Sequence, residues 1–392
     1  MQFSLPDDND PRRLEVREWI QSHPSPSAGQ LAESGYVVPH WPRPWGLDAD
    51  PITQLVIDDE LKRANIRRPF NPIGIGWLGP TIIKGGTQAQ RERYLYPMLA
   101  GEELWCQLFS EPSAGSDLAS LTTQAVPDKD VYIINGSKIW TTFAHVAKFG
   151  VLLARTNPDA PKHEGISYFI CPMDAKGITI RTIRDMTGRE SFNEVFFDDV
   201  RIPKENLVGE ENRGWEIAKT TLSNERVSLS REGVMWGAGP TSYDLIELVR
   251  GVDGEKITDP LLRQRIASIY IKEEILRVLR LRMVGARVMG HTTGPEASIR
   301  KALADAHGRK LMELAMDIAN ATGMIHGGGP LAGLIGWEKG SGDTWGKHRT
   351  LAANDWISGF LFSPALTIGG GTAEVQRNVI AERILGLPRD VD

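Results

Sequence analysis

Residues 107–120 read QLFSEPSAGSDLAS. A strand-like WCQLF leads into this stretch, and small residues, hydroxyls and two acids follow. Ser113, Ala114 and Gly115 let backbone approach a large ligand closely. The backbone N–H groups and the hydroxyls of Ser110 and Ser116 can serve carbonyl or phosphate oxygens. Taken alone, a generic turn accounts for the same residues.

Two later stretches have the same character. Residues 135–145 read NGSKIWTTFAH. On a strand, Trp140 and Thr142 share one face because the side-chain period is two. A flat aromatic beside a hydroxyl suits a planar heterocycle, and a core tryptophan beside a surface threonine is the plainer alternative. Residues 368–378 read IGGGTAEVQRN, where Thr372 is placed to cap a helix whose N-terminus attracts anionic or polar ligand groups. No lysine follows the glycines, and the spacing is not that of a dinucleotide fingerprint.

Outward from these stretches the texture changes twice. Residues 1–103 read as a helical domain, with Ile52, Leu55 and Val56 at helical spacing and a second helix near Arg91–Leu99. Residues 104–212 read as a small antiparallel β domain. Its candidate strands are Val131–Ile134, ended by a hairpin turn at Asn135-Gly136, then Gly150–Ala154, Ile166–Cys171, Ile178–Ile183 and Glu194–Phe197. Residues 213–392 read as a helical bundle. Leu262, Ile266, Ile269, Leu276, Leu279 and Met283 form one stripe, and Ile299, Leu303, Leu311, Leu314 and Ile318 form another. A last helix near Val375–Leu385 is closed by Gly386 and Pro388. The fold class expected is α+β, in the order helices, β domain, helices.

Composition sets outer bounds. A chain of 392 residues exceeds what one core usually serves, so two or three subdomains are expected. The charged residues are interspersed and sum to −5, which gives no basic block for nucleic acid or a membrane surface. The uncharged run from Ile357 to Thr372 is too short to span a bilayer, and the N-terminal residues do not form a secretory signal. Cys106 and Cys171 read as two buried, reduced thiols of a soluble cytoplasmic protein, with no metal-ligand spacing.

In this order and on this plan, the stretches resemble the acyl-CoA dehydrogenase family. FSEPSAGSDLAS is similar to the family's first signature. The run from Asn135 through Ala154, with PKHEGISYF, MTGRESFNEVFFDDVRIP and NLVGEENRGW, looks like its β domain and exit, and GGTAEVQRNVIAERILGLP looks like its final helix. The resemblance runs from about residue 30 onward and is weakest before that and between about 327 and 360. It implies the family's fold: an N-terminal helical domain, a central β domain and a C-terminal four-helix bundle. It also implies bound FAD, an acyl-CoA substrate, an electron-transferring flavoprotein as acceptor, and a homodimer or tetramer, with a heterotetramer as the alternative.

Carried over by motif, Gln107, Phe109 and Ser110 meet the isoalloxazine ring, Ser116 contacts cofactor or CoA, and Trp140 and Thr142 are the W-x-T that packs on the flavin. Thr372 and Glu374 are late-loop FAD contacts. Met324, Gly327 and Gly328, beside His326 and Gly329, belong to a loop that reaches the neighbouring subunit's FAD. Arg250 is the nearest candidate for the pyrophosphate, although ELVRGVDGE departs from the usual pattern. Ser116, Ser223, Arg226 and Gly371 are the implied substrate contacts.

The base departs from the commonest pattern. Many members carry glutamate just before the late Gly-Thr, but here that position is Gly370, and glycine cannot take a proton. Other branches place the base on an earlier helix in a Glu-Arg pair, which this chain has at Glu225-Arg226 in LSNERVSLS. The resemblance therefore implies α-proton abstraction by Glu225, hydride transfer to the flavin beside Thr142, and a trans-2-enoyl-CoA product. The missing carboxylate and the glycines around position 370 point to a bulky acyl group. A base-free partner subunit of a heteromer, and a flavin monooxygenase or oxidase on the same fold, are the other readings.

Overall fold

The computed structural model describes residues 5–229, 239–253, 257–289, 295–319 and 353–389. Internal packing separates the chain into two units, Met1–Glu225 and Arg226–Asp392.

The first unit opens with helices α1 (Pro11–Ser22), α2 (Ala28–Glu33), α3 (Pro51–Arg63), α4 (Gly79–Gly85) and α5 (Gln88–Leu99). Their starts follow from local chemistry. Asp10 and Asp50 cap α1 and α3 ahead of a first-turn proline, and Ser27/Gln30 and Thr87/Gln90 form reciprocal capping boxes on α2 and α5. The buried side of α3 is Val56, Ile57, Glu60 and Leu61, one step round from the expected Ile52, Leu55 and Val56. Glu60 can face inward because Arg13 and Arg17 meet its carboxylate.

A sheet of eight strands follows: β1 (Trp105–Leu108), β2 (Gln124–Asp128), β3 (Val131–Lys138), β4 (Phe149–Arg155), β5 (Ile166–Pro172), β6 (Ile178–Ile183), β7 (Phe192–Pro203) and β8 (Leu207–Val208). Their order is β6-β7-β3-β2-β4-β5-β8, with β1 on β4. Two expectations are corrected here. The sheet is mixed, since β1 runs parallel to β4, pairing Trp105 with Phe149 and Leu108 with Leu152. The intervening β2–β3 hairpin brings the chain back in the same direction. Asn135-Gly136 is not a hairpin turn either: β3 continues through it to Lys138. The register of β3 on β7 shifts there, so that Asp198 and Asp199 together lie opposite Asn135. Asn135 accepts from the Asp199 N–H and donates to its carboxylate, both at 2.9 Å, which holds Asp199 at φ 50°. The core on one side of this sheet is Cys106, Leu108, Ile134, Leu152, Phe169, Val195 and Val200 with their neighbours. Cys106 and Cys171 are both free and buried, and burial pushes the Cys171 thiol up to about 12. Helix α6 (Gly214–Leu229) leaves the sheet, and the unit boundary falls within it, after Glu225.

The second unit contains, among the described residues, α7 (Ser242–Asp253), α8 (Pro260–Val288), α9 (Glu296–Ala319), α10 (Ala353–Phe362) and α11 (Ala373–Arg383). Ile266, Ile269 and Leu276 of the expected α8 stripe are buried, while Tyr270, Ile271, Ile275 and Val278 form an exposed apolar row on the same helix. On α9 the expected stripe needs correction. Leu303 is exposed, and the buried side carries Arg300, Lys301, Asp305 and His307 beside Ala304, Leu311 and Ala315. Thr372 caps α11, its hydroxyl accepting from the Val375 N–H at 3.3 Å. No helix among the described residues is long and apolar enough to cross a membrane.

Candidate active site

Helix α6 carries Glu225, and its seating on the sheet is specific. A Cβ at Gly214 would lie 2.5 Å from the Ser167 carbonyl carbon, so only glycine lets the first turn press against β5. Two turns on, Thr221 is fully buried. Its hydroxyl lies 3.0 Å from both the Tyr168 hydroxyl and the Thr81 hydroxyl, and Thr81 donates to the Trp77 carbonyl at 2.9 Å. Because Thr81 spends its proton on Trp77, the chain of donors runs Tyr168 to Thr221 to Thr81. Asn224 reaches the same Trp77 carbonyl at 3.4 Å. Thr221 and Glu225 are four residues apart and so lie on one helix face. Glu225 is 7% exposed, and Gln107 of β1 donates to its carboxylate at 3.3 Å.

The segment after β1 is fixed by a buried ion pair. Lys138, wholly buried, donates to the Phe109 carbonyl at 3.0 Å and to Glu111 at 2.8 Å. The Glu111 carboxylate also accepts from the Thr122 N–H, the Thr122 hydroxyl and the Thr123 N–H at 2.7–2.9 Å. Burial works against ionisation of Glu111, but the Lys138 charge and these donors outweigh it and hold the carboxyl at about 2. Burial pushes the Lys138 ammonium down to about 8 even though Glu111 opposes it.

Trp140 and Thr142 lie beyond the end of β3, in a turn, which corrects the expectation that a strand pairs them on one face. Trp140 has φ 59° and Phe143 has φ 64°. For bulky aromatic residues this left-handed backbone is strained, at roughly 1–3 kcal/mol each. Asn193, fully buried on β7, holds the turn in place. Its carbonyl accepts from the Thr141 N–H at 2.9 Å, and its side chain donates to the Thr141 carbonyl at 2.8 Å. Trp140 is 57% exposed, so the core-tryptophan alternative fails. Gln107 Oε1, Thr141 Oγ1 and Trp77 Nε1 are buried polar atoms of this unit with no hydrogen-bond partner among the described residues. A displayed aromatic, strained backbone and unmet polar atoms fit a planar ligand with polar edges.

In the second unit, Gly370 (φ 68°) and Gly371 (φ 92°) form the turn before Thr372. Lys301 donates to the Gly371 carbonyl at 3.2 Å and pairs with Asp305 at 2.6 Å, while burial, against the Lys301 charge, raises the Asp305 carboxyl to about 6. Gln376, fully buried, donates to the carbonyls of Gly370 and Gly371.

The structure thus brings Gln107 and Glu225 together, with Phe109 in edge contact with Tyr168. Ser110 accepts from the Ile139 N–H at 2.9 Å, which ties the first signature to the Trp140 turn. Ser116 and Ser223 are exposed, and Thr142 and Arg226 are half-buried. Arg250 and Glu374 are exposed and engage Glu247 and Arg377 on their own helices. Met324, His326, Gly327, Gly328 and Gly329 lie outside the described residues. Sequence reasoning missed Glu111, Lys138, Thr221, Asn193 and Lys301. Lys138 had a signal, since it keeps step with the inward-facing Tyr132 and Ile134 of β3.

Residues 10–102, 106–200 and 212–385 match, in turn, the N-terminal, middle and C-terminal domains of acyl-CoA dehydrogenase. The chain is 36% identical to acyl-CoA dehydrogenase IpdE1 of Mycobacterium tuberculosis over 379 residues, 96% of this chain and 89% of that protein. The chain belongs to the acyl-CoA dehydrogenase family. Membership places it among the acyl-CoA dehydrogenase oxidoreductases, as the motifs implied. It is also 40% identical to acyl-CoA dehydrogenase FadE34 of the same organism over 92% of its own length, and spans 46% of that longer protein. Among solved structures, the Tcur3481-Tcur3483 steroid ACAD superposes with a TM-score of 0.75 at 29% identity, over all of both chains.

Proposed function

We propose that this acyl-CoA dehydrogenase family member performs FAD-dependent α,β-dehydrogenation of a bulky, polycyclic acyl-CoA thioester, with Glu225 as the base. The observation that carries the reading is the Glu225 carboxylate, nearly buried, hydrogen-bonded to β1 and mounted on a pinned helix. The late loop, by contrast, carries Gly370 where many members have the base, and the rival carboxylate there, Glu374, is exposed on the first turn of α11 and pairs with Arg377.

FAD, when bound, supplies a two-electron acceptor for hydride. Trp140 and Thr142 would hold its ring system with Gln107, Phe109 and Ser110, while Ser116, Thr372, Glu374 and Arg250 are the further proposed cofactor contacts. Ser116, Ser223, Arg226 and Gly371 are proposed to meet the substrate. Glu225 takes the α-proton as the α C–H bond breaks. The β-hydrogen would leave with its electron pair, for which FAD would supply the acceptor, leaving a trans double bond. Burial of Glu225 keeps water from competing for the proton. A polycyclic acyl group is supported by the small residues at 369–371 and by the similarity to a steroid ACAD. The proposed acceptor is an electron-transferring flavoprotein. A second copy of the chain is proposed to cover the exposed row Tyr270, Ile271, Ile275 and Val278 of α8; Ile275→Asp then lowers the mass in sedimentation equilibrium.

Anaerobic titration of the flavin-loaded protein with steroid-ring, branched and straight-chain thioesters tests the reading. The polycyclic thioester bleaches the flavin, Glu225→Gln does not bleach, and added electron-transferring flavoprotein restores the colour. Bleaching by Glu225→Gln at the wild-type rate removes the base assignment. Failure of every thioester favours a partner-subunit role, and rapid oxygen consumption without an acceptor favours an oxidase.

A further inference from the structure

We infer that Gln107 is the positioning residue of the proposed base. Its side-chain nitrogen fixes the Glu225 carboxylate from the strand side, and its side-chain oxygen receives a hydrogen bond from the bound ligand. The inference rests on the reading of Glu225 as the base.

Strand period separates the faces of β1. Cys106 and Leu108 face the sheet core, so Gln107 faces the other way. Phe109 meets Tyr168, and Tyr168 bonds Thr221, one turn before Glu225. Gln107 and Glu225 are therefore brought together by two independently anchored elements. The helix fixes the Glu225 backbone, but a glutamate side chain still has three rotatable bonds to settle. A donor at 3.3 Å from Oε2 selects among its rotamers, and holding a base in its productive geometry is worth rate at the chemical step.

Chemistry also decides which end of the amide does this. An ionised carboxylate accepts hydrogen bonds and cannot donate them, so the nitrogen of Gln107 faces it. That turns Oε1 away, where it is buried with no hydrogen-bond partner among the described residues. Buried carbonyl oxygens are almost always satisfied, and an unmet one in a site points to a donor that arrives with the ligand. The flavin offers a ring N–H and hydroxyls, and the pantetheine arm of CoA offers amide N–H groups. The shared requirement is one N–H or O–H donor.

The test uses flavin-loaded Gln107→Leu and the near-isosteric Gln107→Met, each alone and with Glu225→Asp, with rates normalised to bound flavin. Both single variants should lower the limiting rate of bleaching at saturating thioester roughly tenfold or more, the loss expected for a hydrogen bond to a charged group. In the Glu225→Asp background the same changes should cost less than about threefold, because the shorter acid no longer reaches the amide. Binding of FAD weakens if the flavin is the donor, and binding of the thioester weakens if CoA is. A limiting rate within about twofold of wild type in both variants overturns the inference, as does a full loss that persists in the Glu225→Asp background. Unchanged dissociation of both ligands overturns the assignment of Oε1. Wild-type bleaching by Glu225→Gln defeats the underlying reading instead, so the two failures are distinct.

Discussion

Replacing Glu111 with glutamine should lower the melting temperature of the flavin-free protein by roughly 6–20 °C at pH 7. The magnitude follows from the buried pair. A carboxyl held at about 2 rather than 4.5 contributes roughly 3 kcal/mol above pH 4.5. An ammonium held at about 8 rather than 10.5 costs a similar amount, roughly 3 kcal/mol, below pH 8. The intact pair therefore comes near to cancelling, as buried ion pairs commonly do. Breaking it does not cancel. Glutamine has one acceptor oxygen for four converging donors, and its amino group would face two of them. Lys138 is left wholly buried beside a neutral side chain. Such a loss costs about 3–5 kcal/mol, and for a unit of this size each kcal/mol moves the transition by about 2–4 °C. Scanning fluorimetry from pH 3 to 8 reads this directly. In the wild type the Glu111 contribution is present above pH 4.5 and is lost as pH falls toward 2, because there the unfolded chain binds the extra proton. Glu111→Gln lacks that acid loss, so the two curves converge at low pH. Glu111→Gln with Lys138→Met recovers at least half of the loss. A single variant melting within about 2 °C of wild type at pH 7, or a double variant melting below the single one, refutes the reasoning.

Other outcomes follow from the same geometry. Thr221→Val strands the buried Tyr168 hydroxyl and should cost about 1–3 kcal/mol; adding Tyr168→Phe recovers most of it, read as the melting temperature of the pair against the single variant. Trp140→Ala leaves the flavin-free melting temperature within about 2 °C, because the side chain is already largely exposed, but weakens FAD binding at least tenfold by fluorescence titration. Gly371→Ala forces φ 92° on a residue whose Cβ would lie 2.5 Å from Gln376 Nε2, and should cost about 1–2 kcal/mol in urea unfolding.

Elements marked by strong local signals were legible in the sequence. Thr372 stands where a helix must begin and Gly370-Gly371 supply the backbone that precedes it, so the start of α11 could be read directly. Strands β4, β5 and β6 fall within a residue of where their apolar runs place them. The misreadings came from long-range partners. Asn-Gly favours a hairpin only if its neighbours are free to fold back, and here β7 pairs on both sides of it. The inward side of α9 carries charges because Lys301 finds Asp305 and a carbonyl seventy residues away, which no periodicity scan weighs. Trp140 was assigned the wrong backbone, since its turn is held by Asn193, remote in sequence. Glu225 was singled out by its motif. The amide that meets it comes from a strand more than a hundred residues earlier.

The irregularity between Asn135 and Asp199 has a consequence for chain length. On β7, Asn193, Val195 and Phe197 turn inward, and beyond the irregularity so do Val200 and Ile202. Odd positions thus give way to even ones, and the additional residue supplies the phase change. Deleting Asp199 would put the two halves of the strand out of step: either Val200 and Ile202 rotate to solvent, or Asn193 does, taking with it the clamp on the Trp140 turn. Gaps and insertions at this point should accordingly be far less tolerated than substitutions, although both aspartates are exposed and neither touches the proposed base.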